Sequence, residues 1–284
     1  MKMNLEMLLN TIENLIKNDV SVTTSKFQKG TELLTSISIG KGNIRPCVYM
    51  EHFEDLFKAE GYIGVAKEMI KICENADCSD MNNLGVETIS SYEYVKENLL
   101  LCIAPAGIYN NIVTIPYLDL ELYFRVEVGN GTYKVEEKML DLWNVTKEEL
   151  LEVALKTNDY TATSTINIVA ESLKEQDATD DEIAELMSNP MQDQIVITNS
   201  DGTFGASAIC KKEILKEIAD ELEDDLYIIP SSIHELIVQP QIDYMTKEEI
   251  NYMVKSINMN DVAPEERLSD HIYIFRRDTM EIEW

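Results

Sequence analysis

Leu5, Leu8, Leu9, Ile12, Leu15 and Ile16 recur at three- and four-residue intervals, the stripe of an amphipathic helix over 2–18 that docks on a core. Segments 20–27, 32–39 and 44–49 then alternate or cluster β-branched residues, and Gly40-Lys41-Gly42-Asn43 supplies turn chemistry for a hairpin between the last two. Helical spacing returns at 50–59 and 63–77, with Ile63, Ala66, Ile70 and Cys73 on one face and Met69 and Ile72 beside it. After a polar stretch with a short helix from Ser91, the run Leu99 to Ala104 reads as a buried strand.

Ile112 to Ile115 and Leu118 to Val128 follow, and Asn130-Gly131 reverses the chain into Thr132 to Val135, which predicts a long hairpin. Within it Leu118, Leu120, Leu122 and Phe124 share one face. Asp119, Glu121, Tyr123 and Arg125 share the other, so the two acids are expected toward solvent or a groove. Thr146 with Glu149, Thr179 with Glu182 and Thr246 with Glu249 have capping-box spacing, predicting helices over 146–157, 180–188 and 246–258. Another helix is expected over 164–174. A second hairpin is expected from Ile195–Asn199 through Ser200-Asp201-Gly202 to Thr203–Ile209, followed by a helix over 210–222.

Strand patterns at Leu226 to Ile229, Leu236 to Val238, His271 to Phe275 and Met280 to Glu283 complete the chain. Helices and strands mix without βαβ regularity, so the expected fold class is α+β, with mainly antiparallel hairpins packed against amphipathic helices. The polar stretch 158–179 marks the expected limit between an N-terminal α+β part, 1–157, and an acidic C-terminal α+β part, 158–284, together making one compact unit.

Charge sharpens this picture. The 284 residues hold 24 Lys and Arg against 52 Asp and Glu, a net charge of −28. The asymmetry is internal: residues 1–142 carry 21 acids and 13 bases, whereas 143–284 carry 31 acids and 11 bases. Such a chain lacks the cations that bind a phosphate backbone, so direct nucleic-acid binding is not expected, and acidic membrane surfaces are disfavoured likewise. No apolar run approaches the length of a membrane span, and the first residues lack a secretory pattern, which predicts a cytoplasmic protein. Cys47, Cys73, Cys78, Cys102 and Cys210 are odd in number and widely spaced, as reduced thiols are, and neither a metal nor a cofactor is expected.

Reactive groups concentrate in Pro230-Ser231-Ser232-Ile233-His234-Glu235-Leu236-Ile237-Val238-Gln239-Pro240. In an extended segment Ser232 and His234 share a face and Glu235 faces away. In a single helical turn Ser232 and Glu235 form a capping box and the cluster is structural. Ser269-Asp270-His271 is the second cluster. It reads as a turn in which a serine or aspartate side chain bonds nearby amides, and alternatively Asp270 orients His234 across the sheet. Gly202-Thr203-Phe204-Gly205 lacks the lysine of a phosphate loop and reads as turn chemistry, and His234-Glu235 begins a zincin pattern that Leu236-Ile237-Val238 breaks.

At these two clusters, in Tyr227 to Pro240 and Leu268 to Tyr273, the sequence resembles a bacterial family of uncharacterised proteins, the domain of unknown function 5688. Ile115 to Leu120, Leu142 to Val145 and Thr198 to Ala206 support the resemblance, which covers most of the chain from about residue 44. It implies a shared fold and an intracellular bacterial or mobile-element origin, and it transfers no activity.

Two functions compete. One is a non-enzymatic interaction protein whose acidic second half meets a basic protein partner, a nucleic-acid-binding protein that it occludes being one form of this. The other is a hydrolase-like enzyme with Ser232, His234, Glu235 and Asp270 around one cleft.

Overall fold

The computed structural model describes residues 3–17, 19–29, 32–41, 45–76, 87–88, 90–129, 131–175, 179, 194–241 and 245–284. Two units divide the chain, the first from Met1–Asn98 with Val126–Tyr133 and the second from Leu99–Arg125 with Lys134–Trp284.

In the first unit α1 (Leu5–Leu15) starts where the Asn4 side chain accepts the Met7 N–H, and it buries Leu8 and Ile12. Strands β1 (Ser21–Lys29), β2 (Glu32–Gly40) and β3 (Cys47–Tyr49) form an antiparallel sheet in that order. The pairing of β2 with β3 is the expected hairpin, although residues 42–44 of its turn lie outside the described residues. A 3-10 turn, Met50–Phe53, leads into α2 (Glu54–Asn75). Glu51 ties that turn to the sheet: its carboxylate accepts the Thr35 N–H at 2.9 and 3.0 Å and the Thr35 hydroxyl at 2.7 Å. Burial raises this carboxyl, but the bonds outweigh burial and hold it below the usual carboxylate range.

Helix α2 breaks at Gly61, whose φ of 67° is a left-handed value that a side chain disfavours. This is the interruption predicted between 50–59 and 63–77. The break also sets the rotation of the second half, so Val65, Ala66, Met69 and Cys73 are buried while Ile63 is 60% exposed. The predicted face is thus shifted, with Ile63 outside it. A short α3 (Tyr92–Glu97) follows Ser91, whose side chain accepts the Tyr94 N–H.

Strands β4 (Leu99–Pro105), β5 (Thr114–Tyr117), β6 (Leu120–Val128) and β7 (Gly131–Lys134) form a sheet in the order β4-β6-β5, with β7 also on β6. The β6–β7 hairpin is present, with Asn130 outside the described residues. Leu118 does not begin the strand as expected. Tyr117 pairs with Leu120, so Leu118 and Asp119 make a tight turn and Leu118 takes a left-handed φ of 57°. Nor does Glu121 look outward, because both faces of β6 are covered and Glu121 is only 8% exposed beside a fully enclosed Tyr123.

The second unit continues with α4 (Glu137–Trp143) and α5 (Lys147–Thr157), the latter opened by the predicted Thr146–Glu149 capping box. Strand β8 (Tyr160–Ser164) and α6 (Thr165–Glu175) come next, whereas the helix predicted over 180–188 lies outside the described residues. The hairpin expected after β9 (Ile195–Asn199) does not form. Both edges of β9 are taken by β8 and by β11, so no edge is left for 203–209, which instead coils into a buried 3-10 helix, Gly205–Cys210. A β-carbon on Gly205 would meet Thr198 Oγ1 at 2.5 Å and the Asn199 nitrogen at 2.6 Å, so glycine is required there.

Helix α7 (Lys212–Leu222) precedes β10 (Leu226–Pro230), β11 (Leu236–Pro240), α8 (Lys247–Asn260), β12 (Tyr273–Phe275) and β13 (Ile282–Glu283). Their six-stranded sheet runs β13-β12-β10-β11-β9-β8 with antiparallel neighbours. Helix α8 buries Ile250 and Val254 against Tyr227, Ile272 and Ile274 of that sheet's face. The fold is α+β and mainly antiparallel, as the alternation of hairpin and helix patterns predicts.

The Thr246–Glu249 capping box opens α8, with the Thr246 hydroxyl accepting the Glu249 N–H at 3.2 Å and Glu249 accepting the Thr246 N–H at 2.8 Å. Replacing Thr246 with Ala is expected to lower stability by about 0.5–2 kcal/mol, read from denaturant midpoints.

Candidate functional site

Pro230 pairs with Leu236, so Ser231 to Glu235 must reverse the chain within one short connection. The segment is neither an extended strand nor a helical turn. Ser232 Oγ accepts the His234 N–H at 3.0 Å, and Ser231 Oγ donates to Glu235 Oε1 at 3.1 Å. The expected Ser232–Glu235 capping box is therefore replaced by a serine turn, because the hairpin closes too tightly for a helical first turn. Ile233 anchors the loop by donating its N–H to the Glu266 carbonyl at 2.9 Å.

The His234 ring turns away from Ser232. Its Nδ1 accepts the Phe204 N–H at 3.1 Å, which places the proton of the neutral ring on Nε2, and Nε2 lies 3.6 Å from Glu266 Oε1. Phe204 stacks 5.4 Å from the imidazole and holds a left-handed φ of 61°, so this bond secures a strained backbone position. Asp270 serves elsewhere: its Oδ1 accepts the Asn258 side-chain N–H at 2.9 Å, fastening the end of α8. Of the four residues in the hydrolase reading, Ser232 touches the His234 backbone, Glu235 touches Ser231, and Asp270 touches Asn258. Glu266, the carboxylate beside His234, carries no local signal because it sits in the short 3-10 turn Pro264–Glu266.

Ser269-Asp270-His271 is the predicted turn, with Ser269 Oγ accepting the His271 N–H at 3.3 Å. His271 Nε2 lies 2.8 Å from Asp119 Oδ2, and the Tyr273 hydroxyl donates to Asp119 Oδ1 at 2.8 Å. Nδ1 of the same ring faces the Ile272 carbonyl at 3.1 Å. Burial, reinforced by the Asp119 carboxylate, drives the Tyr273 phenol far above its ordinary range, so it stays a hydrogen-bond donor. Asp119 was expected at a groove or in solvent; it bridges the β5–β6 turn to the start of β12.

The face of β6 that the alternation turns toward solvent or a groove gathers a further group of titratable side chains. Glu121, Tyr123 and Arg125 alternate along β6 and share a face, where Tyr109 packs 4.8 Å from Tyr123 and the Lys134 amine sits 4.2 Å above the Tyr109 ring. Arg125 lies 4.8 Å over Phe204, joining this face to the His234 neighbourhood. Glu121 Oε2 accepts the Gly107 N–H at 3.2 Å, while its buried Oε1 has no hydrogen-bond partner among the described residues. Burial pushes the Tyr109 phenol up to about 12, opposed by its bond with Tyr123, and pushes Tyr123 well above its usual value. Burial, helped by the Arg125 charge, brings the Lys134 amine down to about 7. The phenols remain protonated donors and the amine changes charge near neutrality. Tyr123 among leucines was the available signal, since an aromatic on the supposed polar face marks a strand covered on both sides.

Among the described residues no group of three or more His, Cys, Asp and Glu side chains is placed to hold a metal ion, and no helix is long and apolar enough to cross a membrane. Cys47, Cys73, Cys102 and Cys210 are thiols, and Cys78 lies outside the described residues.

The model of the family of unknown function DUF5688 matches residues 2–277. The chain belongs to DUF5688. No curated protein and no solved structure matches it. The Ser231–Glu235 hairpin, the Ser269–His271 turn and the β6 face of this DUF5688 chain all fall inside the matched residues.

Two outcomes follow for DUF5688 residues. His234→Ala leaves the Phe204 N–H without its acceptor and is expected to lower stability by about 1–3 kcal/mol, read from denaturant midpoints. For Lys134 the folded value, about 7, lies below the ordinary 10.5, so between these pH values the unfolded chain binds the extra proton. Stability of the wild type relative to Lys134→Met should therefore rise as pH increases from about 7 to 10. Denaturant midpoints of the two proteins across that range check it.

Proposed function

We propose that this chain is a non-enzymatic interaction protein whose acidic second half binds a basic, amphipathic segment of a protein partner. The observation that carries the reading is the outward side of α8. Ile250 and Val254 serve the core, yet Tyr252, Met253, Ile257 and Met259 also crowd the helix, exposed by 77%, 49%, 52% and 67%. Large apolar groups on one exposed helix face cost solubility unless they meet a partner. Glu248 and Glu249 stand beside them, and with Met245, Tyr252 and Met253 they line a shallow cavity of about 410 Å³.

Charge complementarity selects the occupant. Glu213, Glu217 and Glu221 project along the exposed side of α7 in the same unit, adding to the negative field. A helix with apolar residues on one side and Lys or Arg on the other would bury the α8 stripe and neutralise the flanking carboxylates. A nucleic-acid-binding protein carries such basic segments, and capture here would occlude them. The reading sets the encounter in the bacterial cytoplasm, in keeping with the thiols and the family resemblance.

Affinity purification from the native host tests it. Wild-type protein is expected to retain a basic protein at low salt and release it at high salt, since screening shortens the reach of exposed charges to about 8 Å at physiological ionic strength. The double variant Tyr252→Ala, Met253→Ala, shown by circular dichroism to keep its fold, should lose about tenfold or more in affinity for the recovered partner. Equal affinity of the two proteins, or retention insensitive to salt, would overturn the reading.

A further inference from the structure

Besides the hollow on α8, the second unit holds a cavity of about 310 Å³, none of whose lining residues belongs to that helix. Tyr117 and Leu118 at the β5–β6 turn, Lys212 at the start of α7, and Glu281, Ile282 and Glu283 at the end strand of the six-stranded sheet line it. The Tyr117 hydroxyl donates to the Ile209 carbonyl at 3.0 Å, so its ring is fixed and makes an apolar wall with Leu118 and Ile282. The charges fall into two sets. Glu283 is answered by Arg276 at 2.6 Å, which also holds Asp225, and the Lys247 charge acts on the same carboxylate. Asp119, next to Leu118 in the turn, is taken by His271 and Tyr273. Lys212 and Glu281, in contrast, form no ion pair among the described residues, which leaves one half-buried cation and one exposed carboxylate on the lining to be answered. Two non-glycine residues hold left-handed backbones here, Leu118 on the wall and Met280 beside Glu281, each with a φ of 57°. Such positions are costly for any residue but glycine and gather where a site fixes its groups.

We propose that this cavity binds a free amino acid with a branched aliphatic side chain, Lys212 meeting its carboxylate, Glu281 its ammonium, and Tyr117, Leu118 and Ile282 its side chain. Volume sets the class of ligand, because the cavity stands at the low end of the range that small-molecule sites occupy. Charge sets the head group. A plain anion would answer Lys212 and leave Glu281 repelling it, and a plain cation would answer Glu281 and be repelled by Lys212. A zwitterion answers both at once. The wall sets the side chain. Its one neutral polar group, the Tyr117 hydroxyl, is committed to Ile209, so a polar side chain would lose water without gaining a partner. An aliphatic one buries apolar surface against Leu118, Ile282 and the fixed ring. Binding of this kind is non-covalent and requires nothing of a protein partner.

Titration of the full chain with L-leucine, followed by ligand-observed nuclear magnetic resonance, tests the site. Saturable binding is expected. Two analogues should bind about tenfold more weakly, 4-methylpentanoate for want of the ammonium and 3-methylbutylamine for want of the carboxylate. Acetyl-leucine amide, which carries the side chain but neither charge and stands for a leucine inside a peptide, should bind more weakly than either. Glycine, with both charges and no side chain, should also fall about tenfold or more below leucine. Lys212→Met should cost leucine about tenfold and leave 3-methylbutylamine unchanged, whereas Glu281→Gln should cost leucine about tenfold and leave 4-methylpentanoate unchanged. An unfolded variant would lose every ligand and could not give that crossed pattern. Absence of saturable leucine binding at millimolar concentration, or equal affinity for leucine and acetyl-leucine amide in the wild type, would sink the proposal whatever the variants do. None of these measurements involves α8 or a partner protein, so this proposal and the docking reading fail separately.

Discussion

Strand β6 is covered on both faces, and that constraint organises everything around it. Leu120, Leu122, Phe124, Val126 and Val128 fill one side with almost no exposure, which any buried strand would do. The alternate positions then have to place a carboxylate, a phenol and a guanidinium out of water, where each costs free energy unless it finds a partner or changes charge. Glu121 takes the Gly107 N–H, Tyr123 takes Tyr109, and Arg125 lies over Phe204. Lys134, drawn to the same face by the β6–β7 hairpin, meets desolvation by giving up its proton more easily. Phe204 in turn keeps its left-handed backbone through His234 Nδ1, so the Ser231–Glu235 hairpin is coupled to β6 through one aromatic ring.

What the sequence revealed divides along the distance over which each signal acts. The Thr146 and Thr246 capping boxes, the break at Gly61, the buried Leu99 to Ala104 strand and the β2–β3 and β6–β7 pairings are specified by neighbours a few residues apart, and they stand where the pattern puts them. Thr203 to Ile209 has strand composition, but strand formation needs a free edge, and β9 has none left once β8 and β11 are in place. That fact depends on residues 160–164 and 236–238 and has no trace in 203–209 itself. The same holds for the site. Asp119 meets His271 across 152 positions and His234 meets Glu266 across 32, and no spacing rule connects either pair.

The concentration of hydroxyl, imidazole and carboxylate at Ser231 to Glu235 invites a catalytic reading because such groups are costly to place between apolar strands. The structure offers another account of that cost. A short hairpin loop cannot satisfy its own amides by sheet pairing, so Ser232 accepts the His234 N–H and Ser231 binds Glu235. The imidazole accepts the Phe204 amide on one side, and its Nε2 stands 3.6 Å from the Glu266 carboxylate on the other. The hydrogen bonds of the segment thus close the turn and fix it to its neighbours. Clusters of reactive residue types at strand ends are therefore ambiguous until the direction of each hydrogen bond is known.

The scarcity of cations has an outward effect as well. With 24 basic residues against 52 acids, the placement of each base decides where the negative field remains. Several are held in local contacts. Arg276 bonds Asp225 and Glu283, Arg277 bonds Asp220, and Lys211 donates to the Leu155 carbonyl. Lys26 is bound to Thr35, and Lys134 is partly neutral. Arg277 and Lys216 answer Asp220 on α7, while Glu213, Glu217 and Glu221 of the same helix stand exposed. Self-repulsion among those carboxylates works against compactness, and it is relieved only by counterions or by a partner that brings positive charge. The same few cations that fasten the fold thus leave carboxylates of α7 and α8 on the exposed surface, beside the apolar stripe of α8.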